Sequence, residues 1–185
     1  MPVIRPAVLA DAPAIADVQR ASWFAAYSEI IAPDLIDQVT TPDGGARVRE
    51  RFRSRPWSRT IVACSGDEPA DVLGYASFGP ERDVRAAVWP SPLTEAGVAG
   101  EIAELYALYV HPDAWSSGCG RGLMDYVLGK TAKLGYPEIV LWVLERNARA
   151  RRFYERSGYR PDGAVHVVTG LGGVTEVRYR RSVVP

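Results

Sequence analysis

Glu104–Val110 and Ile139–Leu144 are two short runs, apolar on almost every residue, with a helix-forming segment between them. A strand that is apolar on both faces must lie inside a sheet covered on both sides. A helix joining two such strands carries the chain across the sheet, so the pair runs parallel. This unit occupies the middle of any fold the chain can adopt, and the other segments have to be arranged around it. Along the first run Glu104, Tyr106, Leu108 and Val110 alternate with Leu105, Ala107 and Tyr109, which predicts two faces of a central strand. The helix spans Gly118–Leu134, turns Leu123, Val127 and Leu128 inward, and is stopped by Gly135 and Pro137.

The flanking segments supply more of both kinds. Val3–Ala7 is a β-type run, and Asp11 stands where it can cap a helix with Pro13 in its first turn. That helix reaches Tyr27, with Ile15, Val18, Ser22, Trp23 and Ala26 on one buried face. Pro33 restarts a short helix through Val39, and Ala46–Arg53 makes another. Thr60–Cys64 and Val72–Phe78 form a hairpin across Ser65-Gly66-Asp67-Glu68-Pro69. Asn147–Arg156 is helical up to Gly158, and Val165–Thr169 with Val174–Tyr179 makes a closing hairpin. Glu81–Gly100 has no period, carries Pro90 and Pro92, and is longer than most connections, as functional loops often are. The order predicts an α+β fold with a mixed, mostly antiparallel sheet of about seven strands and helices on both faces.

A chain of 185 residues suits a single domain over 1–185. Lysine plus arginine and aspartate plus glutamate number 22 each, so no long-range field favours nucleic acid or an anionic membrane, and anion binding has to be local. The apolar run Ile139–Leu144 is too short to span a bilayer. Cys64 and Cys119 make no disulfide framework and fit a reducing, cytoplasmic setting as small buried hydrophobes. His111 and His166 with these cysteines give no metal-ligand spacing, and no serine sits in a Gly-x-Ser-x-Gly elbow.

The helix opens on Ser116-Ser117-Gly118-Cys119-Gly120-Arg121-Gly122. Glycines let backbone N–H groups approach a ligand, and a helix N-terminus adds partial positive charge, so the turn suits phosphate as well as a plain connection. A dinucleotide fingerprint requires glycine where Leu123 stands, and a P-loop requires a Gly-Lys-Ser/Thr that is missing.

Val110-His111-Pro112 through Leu123 resembles motif A of the GNAT superfamily, the Gcn5-related N-acetyltransferases. Asn147, Ala150, Phe153, Tyr154, Gly158 and Tyr159 are similar to that family's downstream pattern. The resemblance covers Glu101–Arg160; the N-terminal half agrees only in element order. Trp115 and Ser117 depart from it, since the family commonly has Gln or Arg at the first and a basic residue at the second.

The resemblance implies that the two central parallel strands splay apart and admit the pantetheine arm of acetyl-CoA, the cosubstrate, with no metal. Leu108 and Val110 would bond the arm through their backbones, an N–H at Leu108 or Tyr109 would polarise the thioester carbonyl, and Trp115 through Gly122, including Cys119, Gly120 and Arg121, would hold the diphosphate. Asn147 either bonds the arm, caps its helix or does both. Arg149, Arg151, Arg152 and Arg156 either neutralise phosphates or form a solvated face. A neutral amine, a polarised carbonyl and a protonated leaving thiolate are required. Glu104 is the general base the resemblance implies, with Glu101 behind it, and Tyr154 the general acid. Trp23, Tyr27 and Trp89 are the candidates for boxing the acceptor, a small-molecule amine. A protein N-terminal or lysine acetyltransferase and a non-catalytic CoA-sensing module are the alternatives. No nucleic acid or membrane partner is expected; a homodimer is the assembly carried forward, without a sequence feature to specify it.

Overall fold

The β-branched and aromatic runs form strands, and the segments of three-to-four spacing form helices. The structure is a computed structural model and describes residues 2–41, 43–66, 71–82 and 102–183. In chain order the elements are β1 (Val3–Pro6), α1 (Ala12–Tyr27), α2 (Pro33–Val39), α3 (Ala46–Ser54), β2 (Arg59–Cys64) and β3 (Val72–Pro80). They continue as β4 (Ala103–Val110), α4 (Cys119–Lys133), β5 (Glu138–Leu144), α5 (Ala148–Arg156), β6 (Arg160–Val168) and β7 (Val174–Ser182). The strands make one seven-stranded sheet in the order β1-β2-β3-β4-β5-β7-β6. Among the described residues only β4 and β5 run parallel, as a helix crossover between them demands. Among the described residues no helix is long and apolar enough to cross a membrane.

That parallel pair is short. Ala103, Glu104 and Leu105 pair with Ile139, Val140 and Leu141, and pairing then stops although both strands continue. On its other edge β4 stays paired with β3 up to Val110 opposite Gly74. The sheet therefore opens at its centre.

A second irregularity sits beside the opening. Leu105 lies opposite Phe78 and Ala107 opposite Ser77, so Tyr106 is the extra residue of a β-bulge. The bulge corrects the two faces expected from simple alternation. Leu105, Leu108 and Val110 pack into the core under α4 and α5, while Ala107 and Tyr109 pack toward α1. Helices α1, α2 and α3 cover that second face with two clusters built on Ile15, Val18, Val48 and Val62 and on Trp23, Ile31 and Ile36.

Two further expectations change. Asp11 does not cap α1 with its side chain; its carboxylate accepts from both Arg5 guanidinium nitrogens at 2.8 Å and from the Val8 amide at 2.7 Å. Arg5 holds its carboxyl below the usual carboxylate range. The last hairpin is also longer than expected, because β6 begins at Arg160 and bulges between Pro161 and Val165, where proline and glycine hide a strand from pattern reading. Trp89 and Glu101 lie outside the described residues.

Gly74 is where β3, β4 and α4 meet most closely: a Cβ there would stand 2.8 Å from the Tyr109 carbonyl oxygen and 3.1 Å from Cys119 Sγ. Gly129, on the exposed side of α4, has nothing within 4 Å. We expect Gly74→Ala to cost about 1–3 kcal/mol through overpacking and to lower Tm by several degrees in a circular-dichroism melt. Gly129→Ala should gain a few tenths to about 1 kcal/mol from helix propensity. Equal Tm values for the two variants would contradict this packing.

Candidate active site

The opening between β4 and β5 is the centre of a cleft of about 1080 Å³ that reaches both faces of the sheet. Its β4 wall is set by strand geometry. The His111 amide donates to the Leu73 carbonyl at 2.7 Å, so His111 and Tyr109 turn their backbone groups toward β3. Alternation then turns those of Leu108 and Val110 into the opening. The Val110 carbonyl is already occupied, accepting from Ser22 Oγ and from Trp115 Nε1, both at 2.8 Å. Ser22 is buried in α1 for this contact, which pins α1 to the end of β4. Leu108 keeps its amide and carbonyl, and Val110 its amide, toward the cleft.

The glycine turn closes one end. Ser116, at φ 65°, and Gly118, at φ 89°, hold left-handed conformations, which glycine adopts without strain. They reverse the chain so that α4 points its N-terminus at the cleft. Gly122 N–H bonds the Gly118 carbonyl at 2.9 Å, while the amides of Gly120 and Arg121 have no acceptor among the described residues. Two free donors at the positive end of a helix make an anion cradle. Trp115 lines it, with the Arg149 guanidinium 3.8 Å above its ring centroid. Arg152 and Arg156 also face the cleft, whereas Arg151 is turned away onto the Tyr179 hydroxyl and the Glu145 carbonyl.

Helix α5 contributes from the same side. Asn147 Oδ1 caps it by accepting from Ala150 N at 3.1 Å, and the residue also lines the cleft. Two turns on, Tyr154 is buried against Phe153 and Tyr159. Its hydroxyl makes no hydrogen bond among the described residues. Burial first, and the neighbouring Tyr109, push its pKa well above that of a free phenol, so it is protonated at neutral pH.

On the α1 side the carboxylates divide. Glu104 is fully buried, and its oxygens accept from the Arg82 amide at 2.8 Å, from Arg82 Nε at 3.0 Å and from Arg82 Nη2. Arg82 also stacks on Tyr106, 4.7 Å from the ring centroid. Arg82 lines the cleft and Glu104 does not. Glu176, on β7, does line it, and its carboxylate is in no ion pair or hydrogen bond among the described residues. Burial raises its pKa against the opposing pull of His166 and Arg82.

The structure thus gathers Trp23, Tyr27, Leu108, Tyr109, Val110, Trp115, Ser116, Gly118, Gly120, Arg121, Asn147 and Tyr154 on one cleft, and leaves Glu104, Ser117, Cys119 and Gly122 just behind its wall. Ser117 folds back onto the Ala114 carbonyl at 2.7 Å, Cys119 is wholly buried, and Gly122 abuts Ile4. Among the described residues no cluster of His, Cys, Asp or Glu could hold a metal ion. Sequence reasoning missed Ser22, Arg82, Trp142, His166 and Glu176. Only His166 and Glu176 left a signal, as polar positions directly opposite each other in an otherwise β-branched hairpin.

This architecture matches solved acetyltransferases along their whole length. The PaiA N-acetyltransferase of Thermoplasma acidophilum, solved in complex with coenzyme A, superposes with a TM-score of 0.68 at 18% identity, covering 96% of this chain and 98% of that one. A Gcn5-related N-acetyltransferase from Rhodopseudomonas palustris gives 0.69 at 19% identity, covering 98% and 96%. Both likenesses are likenesses of fold. In sequence, the uncharacterized N-acetyltransferase YuaI of Bacillus subtilis is 30% identical over 147 residues, 80% of this chain and 74% of the relative. The family model described as the acetyltransferase (GNAT) family matches residues 16–159. The chain belongs to the GNAT acetyltransferase family.

Cys119 opens α4 beside the anion cradle, where a reactive thiol would be conspicuous, yet burial raises its pKa to about 11. At pH 8 roughly one such thiol in a thousand is ionised, against about a quarter of ordinary cysteines. We expect the native protein to resist Ellman's reagent and to release two thiol equivalents only after unfolding in guanidinium. Rapid labelling of Cys119 in the folded protein would show that the turn is open.

Proposed function

We propose that the protein transfers an acetyl group from acetyl-CoA to the primary amine of a small molecule by direct attack. The observation that carries this is the through-sheet cleft, with a phosphate-type cradle at one mouth and an aromatic, carboxylate-bearing chamber at the other. The residues fit CoA on the cradle side. The unpaired amides of Gly120 and Arg121, the cations Arg149, Arg152 and Arg156, and the strand edge at Leu108 match a diphosphate followed by an amide-bearing arm. That the structural relative from Thermoplasma acidophilum was solved with coenzyme A supports the same assignment. Asn147 is assigned to the arm, and the Leu108 amide to the thioester carbonyl, because Tyr109 spends its own amide on β3.

Tyr154 is assigned the role of general acid. A buried phenol that stays protonated at rest can hand its proton to the departing thiolate as the carbon–sulfur bond breaks. Glu104, the base implied by the family resemblance, has both oxygens engaged by Arg82. Its assigned role becomes that of a positioning residue, fixing Arg82 over Tyr106 at the chamber rim. A small acceptor is favoured over a polypeptide because Trp23, Tyr27 and Ile31 on the α1 side and Leu171 beyond β6 line the chamber.

Because the Tyr154 hydroxyl makes no hydrogen bond among the described residues, Tyr154→Phe should leave Tm unchanged. The variant should lose about 10²- to 10⁴-fold in kcat, the usual worth of an acid–base group, with the Kd for acetyl-CoA held within twofold by calorimetry. Full turnover in the variant would remove Tyr154 from the mechanism, and absence of acetyl-CoA binding to the wild type would remove the proposed function itself.

A further inference from the structure

The chamber on the α1 side holds one acid whose carboxylate has no ion pair or hydrogen bond among the described residues, Glu176. Glu176 faces Leu144 on β5 and His166 on β6 in register, so all three project to the same side of the sheet. Trp142 shares that side, its ring 5.9 Å from the His166 ring, and Trp23 and Tyr27 stand across from them on α1. The charged and titratable groups that interact with Glu176 are His166 on β6, Arg82 after β3, Glu104 and Tyr109 on β4 and Tyr27 on α1. Arg82 is gripped by Glu104, and Arg178, two residues along β7 on the same face, is paired with Glu81 and Asp162. A half-buried carboxylate without a partner is costly unless a cation arrives with the ligand.

We propose that Glu176 is the residue that docks the acceptor's ammonium group and takes its proton, and that the acceptor is a monocationic primary amine on an apolar or aromatic body, with no carboxylate beside the nitrogen. This rests on the acetyl-transfer function proposed above. The aromatic walls supply stacking and cation–π contact for such a body. An α-amino acid fits poorly, because its carboxylate would lie against Glu176 with Arg82 already spent on Glu104 and Arg178 on Glu81 and Asp162. The protons balance. The ammonium loses one proton to Glu176, the nitrogen lone pair forms the C–N bond, and the carbon–sulfur pair leaves on sulfur and takes the Tyr154 proton. The second proton on nitrogen restores Tyr154, and Glu176 passes the first to water. The sign with pH follows from burial, which raises the Glu176 pKa. The carboxylate form, and with it docking, is present above that pKa and is lost as pH falls through it.

The test compares 2-phenylethylamine with phenylalanine on wild type, Glu176→Gln, Glu176→Asp and Glu104→Gln. Wild type should acetylate the amine with kcat/KM at least tenfold above the amino acid. Glu176→Gln should lose about 100-fold in kcat/KM for the amine, lose calorimetric binding of the amine to the enzyme–CoA complex, and lose the acid limb of the pH profile. It should keep its Tm and its Kd for acetyl-CoA. Glu176→Asp should recover part of the rate, and Glu104→Gln should keep the acid limb. Wild-type kcat/KM and an unchanged acid limb in Glu176→Gln would overturn the proposal, as would a preference for phenylalanine or inactivity toward the amine in a protein that binds acetyl-CoA. Failure of the wild type to bind acetyl-CoA is the separate outcome that removes the transfer function.

Discussion

Everything in the site depends on β4 letting go of β5 after Leu105 and Leu141. Hydrogen-bonding edges inside a protein are normally paired, and an open one is a liability. Here the opening is held from outside. On the β3 edge the ladder continues to Val110, so the strand cannot swing shut without breaking it. At the far end the Val110 carbonyl is tied by Ser22 from α1 and by the Trp115 indole from the glycine turn. The two contacts join the helices of both faces to one carbonyl oxygen. They make the gap a built feature of the fold, with its unpaired edge left for a ligand to complete.

The opening also explains why the charges are arranged as they are. Cations gather on the α5 side, at Arg149, Arg152 and Arg156, where the α4 dipole already favours an anion. On the α1 side, among the described residues, Arg82 is cancelled by Glu104 and Arg178 by Glu81 and Asp162, which leaves the carboxylate of Glu176 as the unpaired charge. A chain with equal numbers of acidic and basic residues thus presents opposite local fields at the two mouths of one cleft.

The middle of this molecule was legible because its constraints are local. Double-faced apolar strands, a turn with glycine at 118, 120 and 122, and the helix stop at Gly135 each state their structure within a few residues, and every expected strand and helix exists. What stayed hidden was long-range or a break in period. The Tyr106 bulge has no signature in β4 alone, because it is a register property shared with Ser77 and Phe78. The carboxylate of Glu104 could be placed in sequence, but its partner Arg82 stands 22 residues away and meets it only through strand pairing. Asp11 looked like a cap until Arg5, on the preceding strand, claimed it. The chamber on the α1 side was least legible, since α1, β5, β6 and β7 each lend it one or two side chains.

The central claim is that the β4 edge and the α4 N-terminus together receive the acyl donor. Amide hydrogen exchange by NMR, with and without saturating CoA, tests it residue by residue. The account predicts that Leu108, Gly120 and Arg121 become protected while Tyr109 and His111, already bonded to β3, stay as they were. Unchanged exchange at those three amides in a protein that binds CoA would contradict it.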